Sequence, residues 1–357
     1  MPDTAPRVPD LHAVLGVAPP SRWPNPEQRL PNQVTGSFLH SRRSPERVSA
    51  DPVVRGESGS RPTILAVYSP KGGVGKTTVS TNLAARMVRR LHLEVLVIDL
   101  DVSFGDVGPR LQRFSPTVLD AIGDIELGPS TIHRWLHCDE SAGFWALLAP
   151  ARPDALLDRR TVSPAAYRRI LGAASGFDAV ILDCPVELSD PLVHRLAFRE
   201  ASAICVVVTN ERATVVDACR GLEKMTRSKN DATFPGYGVP ASKIGVLLNQ
   251  YAASGLDTSE VGRLLAGYPI VSTIPDDRVT FLRAANHAEQ VALDDQAPIA
   301  AALDSTIGAL LPDLAPLPGP ADSGARQLTQ LQHDLDRDRR FPASEWLRSI
   351  RRRRASS

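Results

Sequence analysis

Between the apolar run Thr63 to Tyr68 and an amphipathic stretch that begins at Val79 lies the segment Ser69-Pro-Lys-Gly-Gly-Val-Gly-Lys-Thr-Thr78. Few folds accommodate a strand that enters a glycine loop and leaves it as a helix. The arrangement turns successive backbone N–H groups toward one point at the positive end of the helix, where a polyphosphate can sit. Gly72, Gly73 and Gly75 allow the backbone to approach closely. Lys76 is placed to neutralise β- and γ-phosphate oxygens, and Thr77 to offer its hydroxyl to Mg²⁺. Val74 and Thr78 complete the loop residues expected against the bound group.

Composition strengthens this reading. The chain has 36 Arg and only five Lys, yet two of those lysines, Lys71 and Lys76, fall within six residues of each other. A compact ammonium suits a phosphate cradle that a planar guanidinium would overfill. The total charge is nearly balanced, 41 Lys+Arg against 40 Asp+Glu, so no global field favours nucleic acid or an anionic surface.

Beyond the loop, short runs apolar on both faces alternate with helical patterns: Val95 to Leu100, Ala179 to Leu182, Ala203 to Val208, Ile244 to Leu248 and Ile270 to Ile274. Strands of that kind, separated by helices, predict an α/β fold with a doubly wound, mostly parallel sheet of the P-loop type. In the first helix Val79, Leu83 and Met87 recur at four-residue spacing. Arg86, Arg89 and Arg90 are expected on its solvated face.

The chain divides into three segments: an arm over 1–60, a folded core over 61–312, and a linker with a basic amphipathic tail over 313–357. The arm holds 10 of the 30 prolines and has no sustained apolar period, which predicts disorder. No run reaches the roughly 18 apolar residues of a membrane span, and the amino terminus has no basic region feeding an apolar stretch, so a cytoplasmic protein is expected. Cys138, Cys184, Cys205 and Cys219 lack Cys-x-x-Cys spacing, which leaves no zinc or iron–sulfur motif.

The loop departs from the ordinary phosphate-binding pattern at Pro70, where a glycine would stand, and Lys71 follows it. Written as Lys-Gly-Gly-x-Gly-Lys-Thr-Thr, it resembles the deviant Walker A signature of the MinD/ParA family. Val97-Ile-Asp-Leu-Asp101 with Phe104-Gly-Asp-Val107 resembles that family's first switch, and Phe177 to Pro185 its Walker B strand. Val206 to Glu211 with Asp217, and Ile274-Pro-Asp-Asp277 with Leu282 to Asn286, are similar to further segments. The resemblance implies ATP and Mg²⁺ as cofactors. It implies that Asp101 positions the attacking water, that Asp99 supports the Mg²⁺ network, and that Asp183 holds a water on the metal. It places Asn249 and Pro275 near the nucleotide base. It implies that Lys71 crosses a homodimer interface to phosphate held by the other subunit, so that slow ATP hydrolysis loosens the dimer.

Within the family the cargo is open. Phe104 to Val107 and Leu147 to Pro153 resemble positioning ATPases of Tad-type pilus machines, while Arg159 to Tyr167 resembles relatives of type VII secretion systems. A positioning or assembly role with an unidentified protein activator or machine component is expected; DNA partition, through nonspecific nucleoid binding, is the alternative. Trp346, Leu347 and Ile350 share a helical face beside Arg351. That face suits contact with an anionic membrane at the inner surface of the cell, although a solvated basic tail fits the same residues.

Overall fold

A computed structural model describes residues 61–150 and 162–314. The expected arm over 1–60, the tail residues Trp346, Leu347, Ile350 and Arg351, and Arg159 lie outside the described residues. In chain order the main elements are β1 Thr63–Tyr68, α1 Lys76–Leu91, β2 Val95–Asp99, α2 Val107–Leu111, α3 Val118–Gly123, β3 His137–Cys138, β4 Trp145–Leu147, α4 Pro164–Ala173 and β5 Ala179–Asp183. There follow a π-helical segment Leu192–Ala197 continuing into α5 Phe198–Glu200, then β6 Ala203–Val208, α6 Arg212–Thr226, β7 Ile244–Tyr251, α7 Thr258–Leu264, β8 Ile270–Pro275, α8 Arg278–Asn286 and α9 Pro298–Leu310.

The strands form one eight-stranded sheet in the order β3-β4-β2-β5-β1-β6-β7-β8. All described pairings are parallel except that of β4 with β3. The apolar runs are continuous because successive side chains serve opposite layers. From β1, Ile64, Ala66 and Tyr68 enter one core cluster with Tyr167 and Ile170 of α4 and Val215 and Leu222 of α6. Leu65 and Val67 enter the other, with Leu83 and Met87 of α1 and Leu303 and Ile307 of α9. Both faces of the sheet are thereby covered, as a doubly wound fold requires.

Two features differ from the sequence reading. The edge pair β3 and β4 is too short, two and three residues, to leave a periodic signal. More consequentially, Arg86 is not on a solvated face: it is 4% exposed. Its guanidinium grips Asp304 of α9 with two bonds of 2.7 Å and also reaches Asp295. The periodicity of α1 identifies the stripe that meets the sheet, but α9 packs on a flank of the same helix. Arg89 and Arg90 remain largely exposed and pair with Asp295 and Asp304 respectively.

Candidate nucleotide site

The glycine loop lies at the carboxyl end of β1, between the ends of β5 and β6. Chain direction across the sheet diverges there, the usual ligand position in open parallel sheets. Gly75 caps α1 with φ 87°. A Cβ at this position would meet the Asn249 side-chain nitrogen at 2.5 Å, so space as well as dihedral angle demands glycine. Asn249, at the end of β7, donates to the Val74 carbonyl at 2.8 Å, and Gln250 donates to Gly73 at 3.3 Å. β7 therefore clamps the loop from the side, a role for Asn249 that its sequence context did not reveal.

Behind the loop, the Thr77 hydroxyl donates to Asp183 at 2.6 Å and the Ser80 hydroxyl donates to the other carboxylate oxygen at 2.8 Å. Asp183 is 3% exposed. Burial pushes its pKa up to about 6, against the bonds from Thr77 and Ser80 and the charge of Lys76, which favour ionisation. A hydroxyl and a carboxylate juxtaposed beside a lysine are the oxygen donors Mg²⁺ takes alongside nucleotide phosphates. These residues fit Mg-nucleotide.

Asp99 and Asp183 are in register on neighbouring strands. Asp99 is wholly buried, and desolvation followed by the charge of Asp183 raises its pKa. Its two oxygens accept N–H groups of Asp101 at 3.0 Å and Val107 at 3.1 Å. Asp99 thus braces the segment between β2 and α2. Gly105 passes so near that a Cβ there would lie 2.4 Å from the Asp99 carboxylate. Asp101 caps this turn, one oxygen accepting from Ser103 at 3.3 Å and Phe104 at 3.0 Å. Its second oxygen accepts no bond among the described residues, which leaves it capacity for water.

Lys71 projects from the outer side of the loop with 46% of its side chain exposed, 3.4 Å from Asp217 of α6. Beside it opens a cleft of about 460 Å³ whose lining includes Gly73, Val74, Thr209, Gln250 and Asp276. Pro275 ends β8 opposite Tyr251, directly before Asp276. Two contacts escaped the sequence reading. Ser80 lies one helical turn beyond Lys76 and is found only through its bond to Asp183. Arg110 of α2 donates to the Thr78 hydroxyl, across 32 residues of sequence, with no motif to mark it.

Fold and loop together define a P-loop nucleotide-binding α/β protein. Residues 65–291 match the CobQ/CobB/MinD/ParA nucleotide binding domain, and the chain belongs to that family. It is 26% identical over 233 residues to the septum site-determining protein MinD of Bacillus subtilis, covering 64% of this chain and 82% of that one. Among solved structures, a ParA family ATPase from Chlorobium tepidum superposes with a TM-score of 0.58 at 18% identity, covering 70% of this chain and 98% of that one. MinD from Pyrococcus horikoshii, complexed with Mg-ADP, gives 0.55 at 19% identity, covering 72% and 100%. No helix among the described residues is long and apolar enough to cross a membrane.

Proposed function

We propose that this protein is an ATP-dependent dimerisation switch, hydrolysing Mg-ATP slowly to ADP and using that cycle to position or assemble a larger cellular machine. The observation that carries the reading is the unequal placement of the two loop lysines. Lys76 sits in the cradle within electrostatic reach of Asp183, whereas Lys71 stands outside it on an exposed ion pair. An exposed pair of that kind contributes little stability. Lys71 is therefore free to exchange Asp217 for phosphate presented by a second copy.

In this reading the residues divide the work of phosphoryl transfer, which needs positioning and charge compensation more than covalent chemistry. The loop N–H groups and Lys76 hold the phosphates. Thr77 and Asp183 hold the metal, which when bound supplies charge neutralisation at the phosphate oxygens. Asp101 orients water through its unused oxygen, and Asp99 keeps Asp101 in place through the backbone. Because the distinguishing contacts involve the terminal phosphate, its loss releases the second copy.

Light scattering tests the switch. Wild-type protein should become dimeric with ATP and return to monomer with ADP. Lys71→Ala should bind ATP yet remain monomeric, and Asp101→Ala should persist as the ATP dimer. A wild-type monomer under saturating Mg-ATP would sink the proposal. Sedimentation with anionic vesicles against a DNA mobility shift then separates a peripheral membrane role from the ParA-like alternative of nucleoid binding. A protein activator would reveal itself by accelerating hydrolysis.

A further inference from the structure

Arg110 is a cation that lies near carboxylates yet bonds to none of them among the described residues. It is half-buried, in the last turn of α2, an element anchored by Asp99 through the Val107 N–H and by burial of Val107 and Leu111. Its side chain reaches the phosphate loop and donates to Thr78. Asp183 and Asp106 lie close enough to favour its charge, but neither forms an ion pair with it among the described residues. A guanidinium has five N–H donors, and one bond to a neutral hydroxyl does not offset withdrawing it from water. Arg86, equally a helix arginine, bonds two carboxylates through all three of its guanidinium nitrogens. Arg110, by contrast, brings spare N–H donors to the phosphate loop.

We propose that Arg110 is a phosphate ligand, donating to an oxygen of the nucleotide held by the loop. The inference rests on the nucleotide-binding reading above. The planar fork suits phosphate oxygens, and Thr78 already brings it to the first turn of α1, where such oxygens are bound. Because α2 directly follows the Asp101 turn, occupancy of the loop would draw in the segment that carries the water-orienting carboxylate. Arg110 thereby couples nucleotide binding to the switch.

Equilibrium binding of fluorescent ATP, with melting curves in the presence and absence of ATP, tests this on the full chain with Arg110→Gln. Affinity should fall about ten- to hundredfold, the usual effect of losing a charge-assisted bond. The nucleotide-free melting temperature should stay level or rise, since a half-buried charge without an ion pair has gone. A purely structural arginine behaves oppositely, lowering the nucleotide-free melting temperature while affinity stays within twofold, and that result overturns the proposal. Wild-type protein that fails to bind ATP overturns the underlying reading as well; normal wild-type binding, lost in Lys76→Ala but kept in Arg110→Gln, overturns only the role of Arg110. If the variant does not fold, wild-type protein crystallised with Mg²⁺ and a non-hydrolysable ATP analogue decides. A guanidinium nitrogen within about 3.2 Å of a phosphate oxygen supports the assignment, and one left on Thr78 alone refutes it.

Discussion

The two ends of α1 handle charge in opposite ways. Toward its carboxyl end, Arg86 meets Asp304 and Asp295, and Arg89 and Arg90 join the same acids. Every member is served by a residue of the fold, and the network fastens α9 to α1. At the amino end, Asp183 and Asp99 are buried as neighbouring acids that accept only from hydroxyls and backbone N–H groups, and Arg110 donates to a loop hydroxyl. The first arrangement is complete within the chain. The second holds two buried acids with raised pKa values and no ion-paired cation among the described residues, a pattern that marks a candidate binding site.

Breaking the complete end should have the largest effect on stability. Arg86→Ala leaves Asp304 and Asp295 without their shared cation and should cost about 3 kcal/mol, read by denaturant unfolding. ATP affinity should be nearly unchanged, because the loop does not depend on this seam. A large loss of affinity would erase the distinction between the two ends.

Relieving the incomplete end should do the reverse. The Asp183 pKa lies near 6 in the folded protein against an ordinary 3.8. The folded state therefore holds a proton that the unfolded state has released, and stability falls as pH rises from about 4 through 6. Asp183→Asn should flatten this slope, leaving the part that comes from Asp99, and stabilise the nucleotide-free protein by at most about 3 kcal/mol at pH 8, while removing Mg²⁺-dependent nucleotide affinity. An unchanged pH profile would show that burial does not strain this acid.

The smallest effect separates the ends by sign. Arg89, then Arg86, holds the Asp295 carboxyl well below its ordinary range. Its contribution is present above about pH 4 and lost as pH falls through the folded pKa, opposite to Asp183. Asp295→Asn should shift the acid limb of the melting profile slightly toward neutrality, the smallest of these effects because exposed pairs are screened by solvent. Asp304 keeps its two-bond grip on Arg86, and Asp295 is widely exposed.

Much of the nucleotide site was legible because its residues are local in sequence. Loop, Lys76 and Thr77 are consecutive, and Asp99 and Asp183 end apolar runs. Resemblance singled out Asn249 as a residue near the base, whereas its contact with Val74, which spans 175 residues, had no sequence signal. Ser80 and Arg110 lacked any pattern. Two of the three remaining lysines show the same limit: Lys243 donates to the Ala201 carbonyl at 2.8 Å and Lys224 to that of Pro235. Their ammonium groups also have specific work, which composition suggested only for Lys71 and Lys76.

The sequence by itself determined the alternation of buried strands and helices and the glycine loop at their junction, since both follow from short-range periodicity and backbone sterics. Tertiary structure alone decided which charges are satisfied. Arg86 and Arg110 carry the same group on neighbouring elements, but Asp304 lies 218 positions from Arg86, and no periodicity within α1 reports what packs on its flank. Whether a buried charge serves stability or awaits a ligand depends on the partners that chain closure brings within a few ångströms.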